Sequence, residues 1–156
     1  MAYPWADGNQ LNAADLNAEV QPVCLVCAKK TNITSITSGS YQDISVPEIY
    51  DSHSAYDGTT FTVPAGKSGT YFIYWACRVA STESTIHLTV SVNGVDDTTE
   101  EDESSTIAGE SQNRVVYASM KTLNAGDTVV ARANLAAGST IIQPVKFNIH
   151  GVGRTI

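Results

Sequence analysis

Apolar and polar residues alternate along much of the chain after residue 21, and Gly, Asn, Asp and Pro separate the alternating segments. The clearest example is IHLTVSVNG at residues 86–94, which ends in Asn-Gly. Side chains on a strand point alternately to its two faces, and Asn-Gly is a strong signal for a two-residue hairpin turn. The pattern therefore predicts an all-β domain of short strands, a sandwich or barrel, over residues 22–156.

The predicted strands are the apolar or alternating segments between turn residues. They are VCLVCA (23–28), YQDISV (41–46), residues 61–63, TYFIYWACRVAS (70–81), residues 86–92, RVVYASMKTL (114–123), TVVARANL (128–135) and VKFNIHGVGRTI (145–156). The acidic, Ser/Thr-rich stretch at 96–111 is predicted to be a long solvated loop.

The longest predicted strand is apolar on both faces. One face carries Tyr71, Ile73, Trp75, Cys77 and Val79, and the other carries Phe72, Tyr74, Ala76 and Arg78. A strand with one solvated face should show polar residues on that face. Since a monomer of 156 residues has difficulty burying two aromatic-rich faces, we expect the second face to be covered by another subunit.

The first twenty residues have a different pattern, typical of one short helix. Asn12 is a good N-cap, Asp15 occupies the third helical position, and Leu11 and Leu16 are spaced as a hydrophobic staple. The pattern predicts a helix of about two turns over residues 13–20, which is too short to be stable alone in water.

Such a helix must pack against its own domain or against a partner, and both alternatives remain open. An aromatic residue beside a short helix is typical of binding surfaces, which favours residues 1–21 as an attachment arm. The candidate docking residues are Trp5, Asp7, Leu11, Asn12, Asp15 and Leu16.

The net charge of −7 comes largely from one acidic run. The run contains Asp96, Asp97, Glu100, Glu101, Asp102 and Glu103. Without these six acids the net charge is −1. The sequence has no basic stripe for a nucleic acid, no apolar run long enough for a membrane helix and no pattern of a secretory signal, so we expect none of these three.

The three cysteines are Cys24, Cys27 and Cys77. An odd number argues against a disulfide framework. Cys24 and Cys27 form a single C-x-x-C, but the segment is predicted to be a strand, and a second pair of ligands for zinc is missing. We therefore interpret the cysteines as core thiols, with a metal or redox role as the alternative.

Candidate chemistry is sparse. The sequence has no nucleophile elbow, P-loop or zinc-protease motif, so we expect no enzyme activity and no cofactor. The acidic run could bind Ca²⁺ through its carboxylates, but it lacks the spacing of a calcium loop. The simpler interpretation is a solvated, repulsive surface loop.

Four segments in order resemble the C1q/tumour-necrosis-factor-like jelly roll. They are YDGTTFTVPAGKSGTYFIYWACRV (56–79), LTVSVNGV (88–95), LNAGDTVVARA (123–133) and FNIHGVGRTI (147–156). The resemblance covers residues 46–156 and implies a homotrimer about a threefold axis. It departs at the end of the chain, where HGVGRTI replaces an aromatic-leucine ending. The residues expected at the trimer interface are Phe72, Tyr74, Tyr117 and His150.

The segment YPWADGNQLNAADLN at residues 3–17 resembles a short segment of bacteriophage fibre and capsid-decoration proteins. Together the two resemblances imply a structural virion protein, made in the host cytoplasm. It would be a trimeric capsid decoration (cement) or head-fibre protein that docks on the major capsid protein or another virion protein. The alternative is a tail-fibre tip that recognises a host glycan or protein.

Overall fold

The computed structural model describes residues 25–30, 34–35, 39–80, 85–98, 102–105, 113–135 and 140–154. The strands of these residues are β1 (Leu25–Lys30), β2 (Thr34–Ser35), β3 (Gln42–Asp43), β4 (Glu48–Asp51), β5 (Thr60–Thr62), β6 (Gly69–Ala80), β7 (Thr85–Val92), β8 (Val95–Asp96), β9 (Asp102–Ser105), β10 (Asn113–Leu123), β11 (Thr128–Leu135) and β12 (Thr140–Arg154). The described part contains no helix, hence none suited to crossing a membrane. The prediction of an all-β fold is confirmed.

The strands form two antiparallel sheets of six strands each. The first sheet has the order β10-β6-β12-β1-β4, and β2 also pairs with β12. The second sheet has the order β3-β11-β7-β8, while β5 also pairs with β11 and β9 with β7. Strands adjacent in each sheet are often distant in sequence, as in a jelly roll.

The core lies between the inner faces of the two sheets. Its largest fully buried side chains are Trp75, Tyr71, Tyr117, Phe61, Phe147, Ile44, Ile73, Leu88 and Leu123. The indole nitrogen of Trp75 on β6 donates a hydrogen bond to the carbonyl oxygen of Thr89 on β7 at 2.9 Å. This bond joins the two sheets through the centre of the core.

The alternation predicted for the long strand is confirmed. Its inward residues, Tyr71 to Val79 at every second position, are at most 1% exposed. On the opposite face, Phe72 and Tyr74 are half-buried and Arg78 is exposed, while Ala76 is buried. One face of β6 therefore builds the core, and the other belongs to the outer surface of the first sheet.

The Asn-Gly hairpin is confirmed. Asn93 and Gly94 have φ angles of 53° and 80°, and they connect β7 to β8, in which Val95 pairs with Val92. Two successive residues with positive φ are typical of a type I′ turn, whose twist matches that of the flanking strands.

Several strands differ from the predictions, among them β4, β9 and β12. EIYD forms β4 directly after Pro47, although the pattern predicts no strand there. DESS forms β9 inside the predicted acidic loop, by pairing with β7. β12 begins at Thr140, and the pairing with β6 shifts between Ile142 and Lys146 to accommodate the intervening proline.

Candidate functional site

The outer face of the first sheet is the candidate site, because it holds most of the residues expected at the interface. In the pairing of β6 with its neighbours, Phe72 lies between Met120 on β10 and His150 on β12. Tyr74 lies between Ala118 and Asn148 in the next row. The structure therefore brings Phe72, Tyr74 and His150 together on one face.

This end of the face exposes apolar surface. Met120, next to the half-buried Phe72, is 52% exposed, and Val152 on β12 is 55% exposed. Across the sheet, Tyr50 on β4 is 51% exposed and pairs with Cys27. The apolar side chains thus extend over several neighbouring strands, a form of exposure typical of interaction surfaces.

The other end of the same face is basic. Arg78 pairs with Arg114 across β6 and β10, and Lys146 pairs with Lys29 across β12 and β1. All four side chains are exposed. One guanidinium nitrogen of Arg114 donates to the hydroxyl oxygen of Tyr74 at 3.0 Å, which joins the basic end of the face to the aromatic end.

Tyr117 is a correction to the expected interface. It lies on the inward side of β10, paired with Trp75, and is 0% exposed. Its hydroxyl donates to a carboxylate oxygen of Asp97 at 3.3 Å. Since the side chain is fully enclosed by its own chain, it is a core residue and offers no surface to a second subunit.

The acidic run is also corrected where it is described. Asp96 lies on β8, and its carboxylate accepts hydrogen bonds at 2.7 and 2.9 Å from the guanidinium of Arg132. Asp97 forms an ion pair with Lys121, and the two side chains are only 13% and 20% exposed. Asp102 and Glu103 belong to β9. Glu100 and Glu101 lie outside the described residues.

Arg132 on β11 links three segments of the second sheet. Besides Asp96, its Nε lies 2.8 Å from a carboxylate oxygen of Asp43 on β3, and its guanidinium donates to the carbonyl oxygen of Tyr41 at 3.0 Å. The hydrogen bonds that its guanidinium donates to Asp96 are the main cause of the raised pKa of Arg132. The start of the predicted loop is therefore a fixed part of the sheet.

The predicted docking residues of the arm cannot be placed. Trp5, Asp7, Leu11, Asn12, Asp15 and Leu16, together with Cys24, lie outside the described residues. The arm consequently remains a prediction.

The described cysteines differ in burial. Cys77 is 1% exposed in the core, and burial raises the pKa of its thiol to about 12. Cys27 is half-buried on the outer face of β1. Among the described residues, no three His, Cys, Asp or Glu side chains lie close enough together to hold a metal ion.

One cluster has the residue types of a nucleophile triad but not its geometry. The hydroxyl of Ser52 lies 2.6 Å from the Nδ1 of His53. The carboxylate of Asp51 accepts instead from the backbone N–H groups of His53 and Tyr56, at 2.9 and 2.7 Å. In a triad the carboxylate orients the imidazole ring, so this cluster is a hydrogen-bonded turn.

Among the comparisons with known proteins, only the one with solved structures gives matches. No protein-family model and no curated protein matches the sequence. Murine APRIL has a TM-score of 0.65 at 16% identity, covering 83% of this chain and 98% of its own. The globular domain of a zebrafish complement C1qA protein has a TM-score of 0.61 at 14% identity, covering 85% and 99%. The vertex protein P5 of phage PRD1 has a TM-score of 0.66 at 12% identity, covering 84% and 98%. The chain has the C1q/TNF-like jelly-roll fold.

Proposed function

We propose that the chain is a structural protein of a bacteriophage virion, a trimeric capsid decoration (cement) or head-fibre protein without enzyme activity. In this proposal the outer face of the first sheet forms the contact between subunits. Residues 1–21 form the arm that docks on the major capsid protein or another virion protein. Three arms on one trimer would bind with high avidity even if each were weak.

The observation that carries the proposal is the partly apolar outer face of the first sheet. Met120 is more than half exposed beside the half-buried Phe72, and Val152 on β12 is also more than half exposed. Covering this surface with a second copy would remove apolar area from water at a gain of about 25 cal/mol per Å². The resemblance to C1q/TNF-like trimers supports a contact through a sheet face.

Support for the virion comes from the N-terminal resemblance, and the fold is consistent with it. The N-terminal segment resembles attachment segments of phage fibre and decoration proteins. The fold is similar to that of a phage vertex protein over most of both chains. Only the fold follows from the second likeness, because the identity is 12%.

Sedimentation of two matched variants tests the subunit contact. Met120→Lys adds a charge to the proposed contact, whereas Val95→Lys adds the same charge to β8 of the second sheet, where Val95 is 71% exposed. We expect the parent and V95K to sediment as trimers and M120K to dissociate. Trimers of equal stability for all three chains would contradict the proposed contact.

Deletion of residues 2–20 tests the arm. We expect the shortened chain to remain trimeric and to lose binding to purified phage capsids, because the jelly roll lies outside the deleted segment. If the shortened trimer binds capsids as tightly as the full chain, docking by the arm is wrong. Binding of the trimer to host cells instead of capsids would favour the tail-fibre alternative.

A further inference from the structure

The charges of this chain are segregated between four strands of the first sheet and the rest of the chain. Four of its strands, β1, β6, β10 and β12, contain seven of the nine basic residues and no Asp or Glu. The remainder of the chain has two basic residues and all sixteen acids, a net charge of −14. A net charge of −7 therefore conceals four neighbouring strands with a net charge of +7.

The basic residues on the outer face of this sheet are placed in opposed pairs. Arg78 lies directly opposite Arg114, and Lys146 lies directly opposite Lys29. Lys146 is also the partner of Ala76, two residues before Arg78 on β6. Like charges directly opposite each other on neighbouring strands are destabilising. An anion held between them would offset this repulsion.

The side chains surround a small depression. A cavity of about 80 Å³ is lined by Ala76, Cys77, Arg78, Arg114 and Lys146. Ala76 is 3% exposed although it is on the outer face, so its methyl group forms a floor below the longer basic side chains. The volume exceeds the roughly 10–15 Å³ that a water molecule requires, which leaves room for a small ion.

One donor of the site is already held in place. The guanidinium of Arg114 donates to the hydroxyl of Tyr74 at 3.0 Å, which uses one of its five N–H groups. Arginine forks match the oxygens of phosphate and similar oxyanions, and such charge-assisted bonds are about twice as strong as neutral ones. A tetrahedral oxyanion with two negative charges fits this chemistry better than chloride does.

We infer that the depression between Arg78, Arg114 and Lys146 binds a divalent tetrahedral oxyanion, such as inorganic phosphate or sulfate. The site is on the face that the proposed function assigns to subunit contact, and its effect on assembly rests on that proposal. A second copy that covers the face would strengthen the site, because electrostatic interactions are stronger away from water. By reciprocity, the bound anion favours assembly.

Thermal unfolding of the full chain tests the site with sodium sulfate as the probe. Sulfate is added at millimolar concentration against sodium chloride of equal ionic strength, and sodium phosphate is a second probe. When the free sulfate concentration is ten times its dissociation constant, binding shifts the folding equilibrium about elevenfold toward the folded state. For a chain of this length, that shift raises Tm by roughly 3–6 °C. The variants are Arg114→Gln and Lys146→Gln, both at exposed positions.

Lys67→Gln is the matched control. It removes the same charge from the turn before β6, where the backbone of Lys67 accepts a bond from the Tyr71 hydroxyl and donates one to the carbonyl of Pro64, and the substitution keeps both groups. Sulfate also stabilises proteins in general by exclusion from their surface. We therefore expect the sulfate-specific increase in Tm in the parent and K67Q and its loss in both R114Q and K146Q. An equal increase in all four chains would overturn the inference.

Sedimentation of the same samples separates this inference from the proposed trimer. A trimer without a site-specific sulfate effect refutes the anion site and leaves the trimer intact. A monomer whose sulfate effect is lost in R114Q and K146Q supports the site and refutes the trimer. If both variants weaken a trimer on which sulfate has no specific effect, the cations pair with carboxylates of the neighbouring copy, and the anion site is wrong.

Discussion

The ion pair between Asp97 and Lys121 offers a direct test of how the acidic run is held. Asp97→Asn removes the negative charge and keeps the shape of the side chain. Lys121→Met removes the positive charge and keeps most of the length. If Asp97 belonged to a solvated loop, both substitutions would change stability by less than about 0.5 kcal/mol.

The structure predicts a larger effect because the pair is mostly enclosed. The two side chains are 13% and 20% exposed, and the same carboxylate accepts a bond from the buried Tyr117. Fully exposed pairs couple by about 0.2–1 kcal/mol, and breaking a fully buried pair costs about 3–5 kcal/mol. We expect about 2 kcal/mol for Asp97→Asn, which leaves the Lys121 charge enclosed without its partner carboxylate.

Equilibrium urea unfolding of the parent, both single variants and the double variant gives the coupling energy. All four are measured at one protein concentration, since the stability of an oligomer depends on concentration. We expect a coupling of about 1–2 kcal/mol. Glu48→Gln, at an exposed position of β4, is the charge-matched control and should change stability by less than about 0.5 kcal/mol. A coupling indistinguishable from zero would refute the placement of Asp97.

Three further predictions follow from single residues. Gly94→Ala should cost about 1 kcal/mol in thermal unfolding, from backbone strain alone, because φ is 80° and nothing lies within 4 Å of an added Cβ. Hydrogen bonds from the Asn124 backbone and the Asn93 side chain lower the pKa of Asp127. Its contribution to stability should be present above about pH 4 and be lost as pH falls, so the stability difference between the parent and Asp127→Asn should shrink in acid. Burial raises the pKa of the Cys77 thiol to about 12, so Cys77 should resist iodoacetamide at pH 8 until urea unfolds the chain. The half-buried Cys27 should react at lower urea concentrations, and peptide mass spectrometry measures the modification of both cysteines.

The alternation of side chains was sufficient to predict the fold class and the two faces of β6. Hydrophobic periodicity reports which side faces the core, and it identified Trp75 as inward and Phe72 as outward. It could not predict β9, because DESS has no apolar face and becomes a strand only by pairing with β7. β4 was missed for a similar reason, since EIYD is too short and polar to show a pattern.

The candidate site was predicted only in part. Phe72, Tyr74 and His150 are neighbours in the sheet, and the last of these is 76 or more positions away in sequence from the other two. The resemblance suggested this grouping, but it wrongly included Tyr117, whose position on β10 depends on a register that the sequence does not reveal. The basic pairs were missed because the residues come from four separate strands. Their signal was the absence of acids from those strands.

The pairing of the second sheet has a consequence for how the chain behaves at high concentration. In the described part, the strands at its margins are short: β3 and β8 have two residues each, β5 has three and β9 has four. Short marginal strands give an incoming chain few consecutive backbone groups with which to extend a sheet, which is how proteins limit amyloid-type aggregation. Crowded copies are therefore protected against fibrillar stacking along this side of the molecule.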